Sequence, residues 1–172
     1  SLNLVPTAGM VALIGSIYTV DLSGTGTAGL LVNQGILNLS SSTLTIGNLS
    51  GLTYLSSTSS SNTGTINLTN STLAVGGSGA GVGKLTQTAG SLVGIGTNAI
   101  SVGLTLTGGK LDIQSGTTSL SGTNTVGTGA QVTSTGAGTG TLAITGGATT
   151  VNSGATYALP TTNVSAGTLT FN

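Results

Sequence analysis

The sequence predicts an all-β, single-domain β-solenoid, a ribbon of short strands wound into stacked coils, and three observations lead to it. Apolar and polar residues alternate in short bursts, as in Ile66-Asn67-Leu68 and Leu104-Thr105-Leu106. This period of two marks a strand with one buried face. The bursts recur at a longer period of 19, the step from Leu85 to Leu104, as expected when one supersecondary unit is repeated and stacked. Between bursts stand small residues suited to sharp bends: Asn70-Ser71, Ala89-Gly90, Gly108-Gly109, Gly127-Thr128 and Gly146-Gly147. A low-complexity linker would not hold apolar and turn positions in one phase.

Read at this period, four columns run through the second half of the chain. The first runs Ile66, Leu85, Leu104, Thr123 and Leu142, the second Leu68, Gln87, Leu106, Thr125 and Ile144, the third Leu73, Leu92, Leu111, Ala130 and Thr149, and the fourth Val75, Gly94, Ile113, Val132 and Val151. A coil of this size cannot bury its own apolar residues, but stacked coils about 4.8 Å apart bury one another. Gln87, Thr123 and Thr125 interrupt the inward columns and are expected to bond along the stack or to backbone, since an unpaired buried polar group costs a few kcal/mol.

In chain order, residues 1–17 lie outside the repeat and are expected to form a cap or an inter-subunit arm, and residues 18–172 form the solenoid. Tyr18 and Val20 precede Leu37 and Leu39 by one period. Leu37, Leu39, Leu44 and Ile46 precede the Ile66 set by one period plus ten, which places an insertion near 56–62. At the far end Leu169 and Phe171 arrive one position late. The total is about eight coils. The sequence ends directly after strand residues, so an edge open to pairing with another chain is expected there. The alternative architecture is a β-sandwich pilin completed by a donated strand.

Composition bounds the function. Only Asp21, Lys84, Lys110 and Asp112 carry charge, the net charge is zero, and Glu, Arg, His, Cys and Trp are missing. Ordinary domains are about a quarter charged and use net charge to stay apart in solution. A neutral chain favours assembly. Two isolated lysines cannot neutralise a nucleic-acid backbone, and no apolar run is long enough to span a bilayer as a helix. The first residue is Ser, consistent with removal of a leader. The absence of Cys excludes a disulfide framework or a thiolate metal site.

Catalysis is not expected. A glycosidase needs two carboxyls about 5–9.5 Å apart, whereas Asp21 and Asp112 fall four coils apart, roughly 19 Å. No His serves as a general base. No cofactor or metal is expected. Lys110 and Asp112, two apart on one strand, are read as a solvated surface pair. The pairs Thr86/Thr88 and Thr105/Thr107 are similar to the arrays of ice-binding solenoids. Asn67/Thr69, Asn124/Val126 and Ala143/Thr145, however, break the array in three of five coils, and the preference of β-branched residues for strands explains the threonines. Asn38, Asn48, Asn67, Asn70 and Asn163 lie in glycosylation sequons, a number that the richness in Ser and Thr explains.

The stretches Gly147 to Gly154 (GATTVNSG), Ser165 to Asn172 (SAGTLTFN) and Ser119 to Ala130 (SLSGTNTVGTGA) resemble autotransporter-associated β-strand repeats, found in secreted and surface passenger proteins including filamentous-haemagglutinin-like adhesins. The resemblance implies export and a β-helical passenger. The expected function is therefore a non-enzymatic structural subunit of an extracellular filament, sheath or cell-surface fibre, a homopolymer assembled head to tail. Its expected contacts are Leu2, Leu4, Val11, Leu13, Ile17, Tyr18 and Val20 of one subunit with Leu169 and Phe171 of the next. An adhesin binding a surface glycan or another cell-envelope component is the alternative, and an ice-binding protein a further one.

Overall fold

The computed structural model describes residues 11–46, 60–75, 84–101, 103–136 and 138–172. They form 20 strands, and the pairings between them are parallel. The chain is a β-solenoid. Its coils present three strand faces in succession. The first face holds eight rungs: Val11–Ile14, Leu30–Asn33, Ser60–Asn62, Lys84–Gln87, Gly103–Leu106, Asn124–Val126, Ala148–Val151 and Thr168–Phe171. The long strands Thr19–Ala28 and Ile36–Ile46 each turn a corner, at Gly24 (φ 84°) and Ser41 (φ 48°), and so contribute to both other faces. The second face continues through Thr65–Thr69, Ser91–Ile95, Lys110–Ile113, Gln131–Thr133 and Thr156–Ala158. The third continues through Thr72–Val75, Thr97–Ile100, Thr117–Ser121, Thr141–Gly146 and Thr161–Val164. Parallel pairing throughout overturns the β-sandwich pilin, whose strands would run antiparallel.

Alternation decides what lies inside. On the second face Leu37, Ile66, Leu92, Leu111 and Val132 stack in one buried file. On the third, Leu44, Leu73, Ile100, Leu120 and Ile144 do the same. Together with Leu85, Leu104, Leu106 and Val151 from the first face they make one continuous core. Each such side chain contributes about 1.5–3 kcal/mol when removed from water.

Eight rungs match the expected number of coils, but a constant period of 19 does not hold. Leu85 stacks on Leu104, Leu92 on Leu111 and Leu37 on Ile66, as the sequence suggested. Ile66 does not stack on Leu85, however. It pairs with Leu92, and Leu73 pairs with Ile100. Leu142 belongs to the third face, on Thr118. Upstream, the step from Val20 to its partner Leu37 is shorter than the period. Downstream, the steps from Thr149 to Leu169 and from Val151 to Phe171 are longer than it, as the late arrival of Leu169 and Phe171 in the sequence suggested. The physical reason is that all three faces alternate alike, so a period can match a strand of one face to a strand of another.

Two boundaries also move. Val11–Ile14, placed by the sequence in the N-terminal segment, pairs with Leu30–Asn33 and forms the first described rung. Ser60–Asn62, placed in the insertion, is a strand of the first face. Residues 1–10 and 56–59, the remaining parts of those segments that border these strands, lie outside the described residues.

Corners set how closely coils approach. Between the first and second faces Gly35, Gly64, Gly90 and Gly109 sit one above another. A Cβ on Gly64 would collide with the Gly35 carbonyl oxygen, one on Gly90 with that of Gly64, and one on Gly109 with that of Gly90. The same carbonyls are used: Gly35 accepts from Thr65 N, Gly64 from Ser91 N, Gly90 from Lys110 N and Gly109 from Gln131 N, at 2.8–3.1 Å. The prediction compares two glycines of positive φ. Gly129 (φ 81°) has nothing near its Cβ position, whereas Gly90 (φ 70°) has the neighbouring coil. Gly129→Ala should cost only the left-handed backbone penalty, about 1–2 kcal/mol. Gly90→Ala should cost clearly more, read as a larger shift of the urea unfolding midpoint.

Candidate functional site

Three polar side chains inside the solenoid form a chain of hydrogen bonds along the stack, whereas the hydroxyls of Ser42, Thr118 and Thr133 are buried without a partner. Asn33 Nδ2 donates to Asn62 Oδ1 (2.8 Å), Asn62 Nδ2 to Gln87 Oε1 (3.2 Å), and Gln87 Nε2 to the Lys110 carbonyl (2.8 Å). All three residues are buried. Gln87 thus bonds both along the stack and to backbone, as expected. Thr123 and Thr125 are not inward: Thr123 is exposed, and Asn124 is the buried residue between them. Its Oδ1 accepts from Leu104 N (3.0 Å), and its Nδ2 donates to Thr149 Oγ1 (3.2 Å). The sequence missed Asn124 because the true step from Leu104 is one position longer than the period.

The two carboxylates occupy one outward file of the second face, which runs Asp21, Asn38, Asn67, Val93, Asp112. They are four rungs apart, as the sequence placed them, so within one chain they do not meet. Asp21 Oδ1 accepts from Asn38 Nδ2 (2.6 Å), and Asn38 Oδ1 from Asn67 Nδ2 (2.7 Å), an amide ladder ending in a carboxylate.

Asp112 corrects an expectation. Its side chain is 0% exposed, not solvated, although it stands on the outward side of its strand. The connection after Gln131–Thr133 folds back over it. Thr135 donates both its backbone N–H (2.8 Å) and its hydroxyl to the carboxylate, Gln114 Nε2 donates at 3.3 Å, and Lys110 Nζ lies 3.4 Å away. Burial by itself pushes this carboxyl up. The Thr135 hydroxyl and amide, Gln114 and the Lys110 charge together outweigh it and hold the group below the ordinary carboxylate range. The cluster anchors a loop and, among the described residues, brings no second carboxyl to Asp112.

The expected contact residues lie at the two ends of the stack and do not meet within one chain. Leu2 and Leu4 lie outside the described residues. Ile17 (84% exposed) and Tyr18 (62%) stand at the first corner; Val20 tops the Leu37 file, while Val11 and Leu13 project from the outward side of the first face. At the opposite end Phe171 is 58% exposed, and Leu169 is half-buried against the core. Tyr157, which the sequence reading did not single out, stacks on Val132, packs edge-on to Phe171 with ring centroids 5.2 Å apart, and shares a hydrogen bond with Thr162 (2.7 Å). It becomes visible only once coils longer than the period are allowed.

Of the sequon asparagines, Asn70 and Asn163 are exposed, Asn38 and Asn67 belong to the ladder, and Asn48 lies outside the described residues. A small void is lined by Leu104, Leu106, Leu120 and Val126 together with Asn124 and Thr149.

No family model, curated protein or solved structure matches the chain.

Asp112 yields a pH prediction. Its folded-state pKa is depressed, so its contribution is fully present above the unfolded value, about 3.9, and is lost as pH falls through the folded value. Asp112→Asn should destabilise the chain by about 1.5–3 kcal/mol at neutral pH, the usual range for charged hydrogen bonds. The gap between wild type and variant, read by urea unfolding at stepped pH, should narrow as pH falls below about 4.

Proposed function

We propose that this chain is a non-enzymatic structural element of an extracellular filament, sheath or cell-surface fibre, in which solenoids add end to end with copies of themselves. One observation carries the reading. The coil Thr156–Ala158, Thr161–Val164 and Thr168–Phe171 presents a strand edge with the exposed side chains of Val164 and Phe171 and the half-buried Tyr157 and Leu169. Such an edge pairs with whatever coil is supplied to it, whether by a continuation of the same polypeptide or by a second copy. Zero net charge removes the repulsion that would keep copies apart. The first described coil offers a complementary partner, since among the described residues Ala12 and Val20 begin the files that Leu169 and Tyr157 end.

Extracellular placement rests on the resemblance to autotransporter-associated repeats and on the composition. The same resemblance favours a second reading, an adhesin passenger that binds a surface glycan. A glycan array probed with non-polymerising protein separates the two.

Negative-stain microscopy and sedimentation of the purified chain test the leading reading. Rods longer than one solenoid are expected. Leu169→Lys with Phe171→Lys should weaken association by at least about a hundredfold, because each charge would be stripped of water at the contact. A wild-type chain that stays monomeric at every concentration examined overturns the proposal.

A further inference from the structure

The register of the first face places threonine at the last five rungs of one outward file, whose earlier rungs are Leu13, Val32 and Ser61. Thr86 pairs with Thr105, Thr105 with Thr125, Thr125 with Thr150, and Thr150 with Thr170. A constant period of 19 breaks this array, because every step after Thr105 is longer than that. Four of the five threonines are partly exposed and Thr170 is exposed, while their strand neighbours Leu85, Gln87, Leu104, Leu106, Asn124 and Val126 are buried.

From this file we infer a second, separate property: the first face is an ice-binding surface. The physical requirements are met one by one. Rungs of a parallel sheet repeat at about 4.8 Å, close to the repeat of water oxygens along a lattice direction of ice. Threonine on a strand is stiff at χ1, so its hydroxyl and methyl are held in place before any water is bound. Side-chain ladders of one residue type favour a flat sheet. An ice surface carries no charge, and neither does the file; Lys84 lies at its edge, on the first threonine rung.

Strand preference does not account for the uniformity. Val and Ile suit strands as well as Thr does, yet the last five rungs of this file all hold Thr, one more than the file Thr97, Thr117, Thr141 and Thr161 of the third face. The file of Asp21, Asn38, Asn67, Val93 and Asp112 on the second face is mixed. A crystalline polysaccharide, the other flat repeating ligand, is gripped by aromatic rings, and this file has none.

The test is partition of the full chain into slowly grown ice, with thermal hysteresis measured on the same sample. Wild type should enter the ice. Thr125→Lys should be excluded like an inert control protein, and so should Thr105→Tyr, which keeps a strand-favouring residue should the lysine variant fail to fold. Gln131→Lys, exposed on the second face, should enter as wild type does; circular dichroism verifies folding of each. Exclusion of wild type overturns the inference, as does entry of both folded threonine variants, or binding to powdered chitin or cellulose in place of ice. Microscopy of fibres is independent of this readout, so either property can fail alone.

Discussion

Close approach of backbone at the corners is the constraint on which the rest depends. A solenoid coil buries its apolar residues only against the coils above and below. Those coils must therefore stack at strand spacing even where the chain bends and the regular ladder stops. At the corner after the first face this is achieved by glycine over glycine, with each carbonyl accepting from the next coil in the space where a Cβ would stand. The leucine and isoleucine files follow from that contact. So do the internal amide bonds, in which Asn98 Oδ1 accepts from Ser71 N and Asn124 Oδ1 from Leu104 N.

The interior is consequently mixed rather than oily. Asn33, Asn62 and Gln87 replace apolar residues on three successive rungs, and each is paired in the stack direction. A coil slipped by one rung would leave these groups facing leucine, with an unsatisfied buried amide as the result. The amides thereby contribute to the choice of register, while leucine and isoleucine supply most of the burial. Asp112 acts in a similar way outside the core. Held below its ordinary pKa by Thr135, Gln114 and Lys110, it fixes a connection that folds back across the second face.

The alternation of two, the eight rungs and the inward place of Gln87 were legible in the sequence because each is set locally, by which residue faces in. The coil length was not. Connections leave the stack at different corners and in different lengths, as between Thr133 and Thr141, and the number of residues between rungs has no energetic bearing on how the rungs pair. The ladder Leu85–Leu104 was found because that step happens to equal the period. Leu104 over Asn124 was missed because the next step does not. Burial of Asp112 could not be read from its own strand, where it alternates as an outward residue should. It depends on Thr135 of the following coil, which sits in an unpatterned run of Ser, Thr and Gly.

Uneven coils also separate the axial height of this molecule from its residue count. The short step from Asp21 to Asn38 and the far longer one from Asn38 to Asn67 each advance the stack by a single rung, so added sequence does not lengthen the rod. Decoration and dimension are thus independent variables here. A peptide tag or binding loop grafted between Thr133 and Thr141 would change what the column displays without disturbing its pitch.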